Sequence, residues 1–304
     1  MKRKILLFDT SSVLHAAKHS LGKARLSHND RNTFVIYGFM LKLHAILAKE
    51  YYDIAIFALD SRSSKRKDIY AEYKENRSKS TKTKEQIELD ELAYPQFEQV
   101  EKFVLPNLGF KNLFKAEGYE ADDIIARICH LYREDEITII TSDKDMYQLL
   151  AMNVSILKPR EHKIYNIFDF KREYGIDPQM WKRVKVYGGC TTDNVSGLPM
   201  PQSDAAIKKG TAIRNVGEGT ALNYIKGTLG THTNTYKAFT QSSAKKIIAR
   251  NKKLVILPFY GTPKFTILPD NRMSKKGLVR IIREYNFKSI EKDFDSYCKV
   301  LKLR

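Results

Sequence analysis

Short apolar runs that end in an acid punctuate the first half of the chain. Lys4-Ile5-Leu6-Leu7-Phe8 runs into Asp9, Ile54-Ala55-Ile56-Phe57-Ala58-Leu59 into Asp60, and Ile137-Thr138-Ile139-Ile140-Thr141-Ser142 into Asp143. Each run is too short for a typical helix and lacks the alternation of a half-exposed strand, so each predicts a strand buried on both faces. Further strands are expected at 110–114, 153–157 and 163–167. Between them the apolar positions return at helical spacing. Thr10-Ser11-Ser12 starts one helix, and Asn29 or Asp30 can cap another that runs to about Tyr51 through Phe34, Ile36, Leu41, Leu43, Ile46 and Leu47. A helix is expected over about 91–105, one over 121–133 with Ile124, Ile125, Ile128 and Leu131 on one face, and a short one to Leu150. Residues 61–90 have no strong apolar period and read as a mobile polar excursion.

Strands that alternate with helices predict an α/β fold with a mostly parallel central sheet covered by helices. From about residue 168 the pattern changes to helices joined by Gly-rich turns. This divides the chain into 1–167, an α/β core, and 168–304, a helical region with a loop at 199–214 and basic, partly helical segments at 240–253 and 272–288.

Composition bears on the partner. The 304 residues include 53 Lys and Arg against 35 Asp and Glu, a net charge of +18, and 42% are hydrophobic. The apolar share supports a buried core, and the charge points to a polyanion. The surplus is uneven. Residues 200–304 hold 21 bases and 7 acids, residues 62–84 nine bases and three acids, and residues 117–145 nine acids and three bases. No apolar run reaches the ~18–20 residues of a membrane span or the ~7–15 of a secretory signal. Three scattered cysteines, Cys129, Cys190 and Cys298, suggest neither a disulfide framework nor a zinc site, so a cytoplasmic setting is expected.

The acids suggest the chemistry. In a parallel sheet, ligands bind outside the carboxyl ends of the strands. Asp9, Asp60 and Asp143 are expected on that edge, with Glu120, Asp122 and Asp123 opening the next helix, Asp145 beside Asp143, and Asp193 at the start of the helical region. Taken alone, any one of them reads as a helix cap or a solvated loop acid. Together they form a crowd of like charges that a hard divalent cation relieves, with Mg²⁺ the expected ion. Two such ions ~3.5–4 Å apart can activate a water and stabilise the leaving oxygen of a phosphodiester. The basic stretch nearby reads either as a solvated lysine-rich loop or, beside such acids, as a grip on a phosphate.

At these residues the chain resembles the structure-specific 5′ nucleases: flap endonucleases, phage 5′→3′ exonucleases and the 5′ nuclease domain of bacterial DNA polymerase I. Gly118-Tyr119-Glu120-Ala121-Asp122-Asp123 resembles the family's G-x-E-A-D-D. The run from Thr141 through Asp143 and Asp145 to Leu150 resembles T-x-D-x-D-x-x-Q-L-L. Phe8-Asp9 and Leu59-Asp60 match two further strand-end acids. Tyr73-Lys74-Glu75-Asn76-Arg77 resembles Y-K-x-x-R, with Arg66 upstream. Thr192-Asp193-Asn194-Val195-Ser196-Gly197-Leu198-Pro199 resembles the approach to a helix-three-turn-helix, and Val216-Gly217-Glu218-Gly219-Thr220-Ala221 its Gly turn.

The resemblance implies a PIN-like fold and two Mg²⁺ ions, replaceable by Mn²⁺, held by the eight acids. It gives Lys74, Arg77 and Arg66 catalytic roles and makes about 61–93 an arch for the 5′ strand, with Tyr73 beside it. Duplex is gripped at Gly217, Gly219 and Thr220, with a K⁺ at that turn. Cleavage of branched or 5′-ended DNA, or of RNA–DNA primers, in replication is the implied role, by a monomer that meets replication proteins, as in a phage or stand-alone enzyme. Three departures stand out. Cys190 occupies the place of an acid that ligates the second metal, and a thiol is a poor Mg²⁺ ligand. Residues 200–214 form an insertion, and Gly219 replaces a lysine. The rival readings are a branched-DNA-binding protein with weakened catalysis and, on charge alone, a binder of anionic membranes.

Overall fold

The computed structural model describes residues 2–24, 26–76, 82–159, 161, 163–202, 209, 212–269 and 274–302. Its central sheet has six strands: β1 Lys4–Asp9, β2 Ile54–Ala58, β3 Leu113–Phe114, β4 Glu136–Ile140, β5 Val154–Lys158 and β6 Lys163–Tyr165. They lie in the order β3-β2-β1-β4-β5-β6, and every pairing is parallel except that of β5 with β6. Strand alternation divides the apolar side chains between two cores. Leu6, Phe8, Ala55 and Phe57 face one with helices Thr10–Leu21 and Phe34–Lys49, while Ile5, Leu7, Ile54 and Ile56 face the other with Ala121–Leu131 and Pro178–Gly188. Both faces are therefore covered, and the central strands read as unbroken apolar runs. Phe8 stacks on Phe57 across the β1–β2 register at 4.6 Å between ring centroids.

Three expectations change. Asn29 and Asp30 do not cap the second helix. Both have positive φ and turn the small hairpin Ser27–His28/Arg31–Asn32, and the helix starts at Phe34 and ends at Lys49. Short polar side chains tolerate that left-handed turn. The helix expected at 91–105 starts earlier, at Lys84, behind a reciprocal Thr83–Gln86 capping box. It continues through a wider turn, Val100–Val104, into Leu105–Asn107. Its first turns are exposed, so they left no apolar period to read. Last, residues 64–76 are not a detached excursion. They carry the short helix Arg66–Ile69, and Arg66 and Tyr73 are both buried to 2% exposure.

The later segments complete these cores. Helices Asn234–Thr240 and Ala244–Val255 lie beside Pro178–Gly188. Helix Lys275–Tyr285 turns Leu278, Ile281, Ile282 and Tyr285 into the first core, so its amphipathic apolar face is already used within the chain. No helix among the described residues is long and apolar enough to cross a membrane.

Candidate metal centre and nucleic-acid cleft

The strand order brings the acids to one edge. Asp9 ends β1 and caps the next helix, accepting from Ser12 N at 3.0 Å and Thr141 Oγ1 at 2.8 Å. Asp60, two residues past β2, accepts from Ala121 N at 2.9 Å and from Ser11 Oγ. Asp143 follows β4 and caps the turn Lys144–Leu149 through Asp145 N at 2.7 Å. Asp122 sits in the first turn of Ala121–Leu131. Burial, then Asp60, pushes the Asp9 carboxyl up to about 7. Burial, then Asp145, raises Asp143 to about 6, and burial with Asp143 and Asp9 lifts Asp122 well above the ordinary range. Four predicted ligands thus form one crowded group, and among the described residues no salt bridge reaches any of them.

The second group is different. Ligand atoms of Asp145, Cys190 and Asp193 lie within 4.8 Å of one another. Cys190 Sγ is 3.7 Å from Asp145 Oδ2, and Lys185 Nζ is 2.7 Å from Asp145 Oδ1. Lys185 also bonds Glu218, the first residue of helix Glu218–Ile225. Burial opposes the Lys185 ammonium, but the Asp145 and Glu218 carboxylates hold its pKa above the ordinary lysine range. Burial, then Asp145 and Asp193, pushes the Cys190 thiol up to about 12, so it is neutral at physiological pH. Two carboxylates, a neutral thiol and a resident ammonium are a poor donor set for a hard cation.

Glu120 joins the cleft to the segment 64–76. It accepts from Ser64 Oγ at 3.2 Å, Tyr73 OH at 3.0 Å and Lys74 Nζ at 2.8 Å. Burial works to raise its pKa, but Lys74 and Arg66 outweigh it and keep Glu120 below the ordinary carboxylate range. Tyr73 OH also donates to Asp193 at 3.2 Å. Lys74 holds a positive φ of 58° while its N–H donates to Asp193 O at 2.9 Å. Asn76 Nδ2 to Thr191 O and Asn194 Nδ2 to Glu72 O, both 2.8 Å, fasten residues 72–76 to the Asp193 loop. A left-handed non-glycine residue costs energy and persists where the surroundings fix it.

Arg66 and Asp123 lie beneath the cleft and do not line it. The guanidinium meets both Asp123 oxygens at 2.7 Å and donates to Leu254 O at 2.8 Å. Asp123 Oδ1 also accepts from Phe259 N at 2.8 Å and Oδ2 from Glu120 N at 3.1 Å. Four bonds saturate the carboxylate, so the roles expected for this pair, catalytic cation and metal ligand, give way to a structural one. Nearby, Gln148 donates to Asp145 O and Val255 O and accepts from Leu257 N. The backbone of 254–259 therefore floors the site. Arg77 lies outside the described residues, as do 203–208, 210 and 211 of the expected insertion, whose ends pair through Met200 N and Arg214 O. Gly217 and Gly219 are exposed at the start of Glu218–Ile225, with half-buried Thr220 beside them.

Sequence reasoning missed Lys185, Thr141 and Ser11. Thr141 lies inside a quoted motif and Ser11 beside Asp9. Lys185 had a weaker signal: it follows Trp181 by one helical turn, on a face otherwise apolar.

Residues 4–175 match the family described as 5′-3′ exonuclease, N-terminal resolvase-like domain. A 5′-3′ exonuclease of Buchnera aphidicola subsp. Schizaphis graminum is 28% identical over 222 residues, covering 71% of this chain and 73% of that protein. DNA polymerase I of Chloroflexus aurantiacus is 30% identical over 205 residues, which are 64% of this chain and 20% of the polymerase. Among solved structures, bacteriophage T5 flap endonuclease in a complex with DNA and metal ions aligns with a TM-score of 0.65 at 19% identity, covering 99% of this chain and all (100%) of that one. T5 5′-exonuclease with bound zinc gives 0.64 at 21%, covering 99% and 97%. These neighbours share the α/β fold expected from the sequence. With the family match over more than half its length, the chain belongs to the 5′-3′ exonuclease family, the 5′ nucleases that hydrolyse phosphodiesters.

Proposed function

We propose that this 5′ nuclease is Mg²⁺-dependent and cuts branched or 5′-ended DNA, including RNA–DNA primers, during replication. The crowded group of Asp9, Asp60, Asp122 and Asp143 carries the reading: the carboxyls of Asp9, Asp122 and Asp143 are raised, none of the four has a salt-bridge partner among the described residues, and together they offer the oxygen donors that a hard cation takes. When bound, such an ion supplies positive charge to a phosphate and lowers the pKa of a water. The chain's own groups do the rest. Lys74, at the mouth of the cleft and 2.8 Å from Glu120, is placed to neutralise charge that develops on a scissile phosphate. Tyr73 holds Glu120 and Asp193 in register by its buried hydroxyl. In-line attack by water on phosphorus then leaves a 5′-phosphate and a 3′-hydroxyl.

In this reading residues 1–167 cut and 168–304 hold duplex. The backbone amides of exposed Gly217 and Gly219 and of Thr220 grip phosphate, with a K⁺ at the same turn. Arg77 joins Lys74 on the substrate, and 61–93 takes the 5′ strand. A labelled 5′ flap incubated with and without Mg²⁺ tests the proposal. Asp143→Ala should abolish cleavage and leave duplex affinity intact, whereas equal cleavage by that variant refutes the metal assignment. Cys190 favours a second reading, a branched-DNA binder with weakened catalysis, which predicts tight flap binding without turnover in the unaltered chain.

A further inference from the structure

We infer that Lys185 is the resident cation of the second acidic position, so that this chain holds one divalent ion, in the Asp9–Asp60–Asp122–Asp143 group, and not two. The inference deepens the nuclease reading and takes its choice of ion from it. Three observations meet at this position. Cys190 stands among Asp145 and Asp193, leaving two carboxylates where the resemblance leads to three. The Lys185 ammonium already neutralises one of them, at 2.7 Å from Asp145 Oδ1. It is 3% exposed and also bonds Glu218, so an ion that took Asp145 Oδ1 would displace a buried charge that is already paired.

The arrangement has a second consequence. Glu218 opens the helix whose first turn carries Gly219 and Thr220. One ammonium therefore ties Asp145, beside the cutting group, to the turn proposed to grip duplex. A divalent ion on Asp145 and Asp193 would not make that bond. Lys185 is thus a positioning residue: it sets the distance between the duplex grip and the cut while compensating Asp145. Losing it should disturb the choice of scissile phosphate as well as the rate.

The experiment is a Mn²⁺ titration of the full chain, followed by calorimetry and by the electron paramagnetic resonance of free Mn²⁺, with flap cleavage measured in parallel. The unaltered chain should saturate at one ion. Lys185→Met/Cys190→Asp, which restores a third carboxylate and removes the ammonium, should take up a second. Its cleavage products on a flap should spread over neighbouring positions. Two ions of similar affinity in the unaltered chain overturn the inference without recourse to any variant. So does a cadmium–thiolate absorption band on adding Cd²⁺ that Cys190→Ser removes, because a divalent ion would then sit on Cys190 beside the ammonium. One ion with no flap cleavage under any condition upholds the ion count and overturns the nuclease reading instead.

Discussion

Replacing Arg66 by Met separates a structural from a catalytic role for this residue. The variant keeps most of the side-chain volume and removes the cation. Asp123, 0% exposed, would keep its bonds from Phe259 N and Glu120 N but lose both guanidinium contacts, and Leu254 O would lose its donor. Breaking a buried ion pair from one side costs about 3–5 kcal/mol. For a chain of 304 residues the unfolding entropy is about 0.6 kcal/mol per kelvin, so Tm should fall by about 5–8 °C. Arg66→Met/Asp123→Leu should recover part of that loss, since an apolar pair of similar volume is often neutral or better. Differential scanning calorimetry and flap cleavage well below Tm are the two assays. A Tm within about 1 °C of the unaltered chain, together with a large loss of turnover, would refute the structural assignment and return Arg66 to the phosphate.

Other expectations concern charge and backbone. The Asp9 carboxyl titrates near 7 in the folded chain against an ordinary 3.8. Between those values the folded state keeps a proton that the unfolded state has released, so metal-free stability is greatest below the window and declines as pH rises through it. Ca²⁺ should therefore raise Tm more at about pH 8 than at about pH 5. Asp122→Asn, which removes one repelling charge, should stabilise the metal-free chain by about 0.5–2 kcal/mol while ending cleavage; a lower metal-free Tm at pH 8 would contradict the crowding. Gly189→Ala meets a backbone with φ +71°, and its Cβ would lie 2.2 Å from Val195 O, inside the hairpin that sets Cys190 against Asp193. It should cost at least about 1–3 kcal/mol and lower Mg²⁺-dependent activity, and unchanged melting would show that this hairpin yields freely.

The sheet and its acidic edge were legible because a parallel strand buried on both faces writes an unbroken apolar run, and the next polar residue marks its carboxyl end. Asp9 and Asp60 followed from that alone, and Asp143 from its place three residues past the run that ends at Ile140. What stayed hidden depends on side-chain direction. Arg66 sits in a basic, polar stretch and reads as surface, yet one turn of helix points it inward at Asp123. Lys185 looks like an interruption of an apolar face, because its partners Asp145 and Glu218 are 40 and 33 positions away in the chain. Asn29 and Asp30 suit a cap and a tight turn equally well, and only the hairpin decides between them.

The backbone of 254–259 has a consequence for what counts as a unit of this protein. The match to the family's N-terminal domain ends at residue 175, so that domain looks separable there. Yet Leu254, Val255, Leu257 and Phe259 supply bonding partners for Arg66, Gln148 and Asp123, all within the matched part. A fragment cut at that boundary would retain seven of the eight acids and strand buried polar groups beneath them. The matched domain and the folding unit therefore differ in extent. Trimming this nuclease at the end of the domain match would remove the support on which its acids are set.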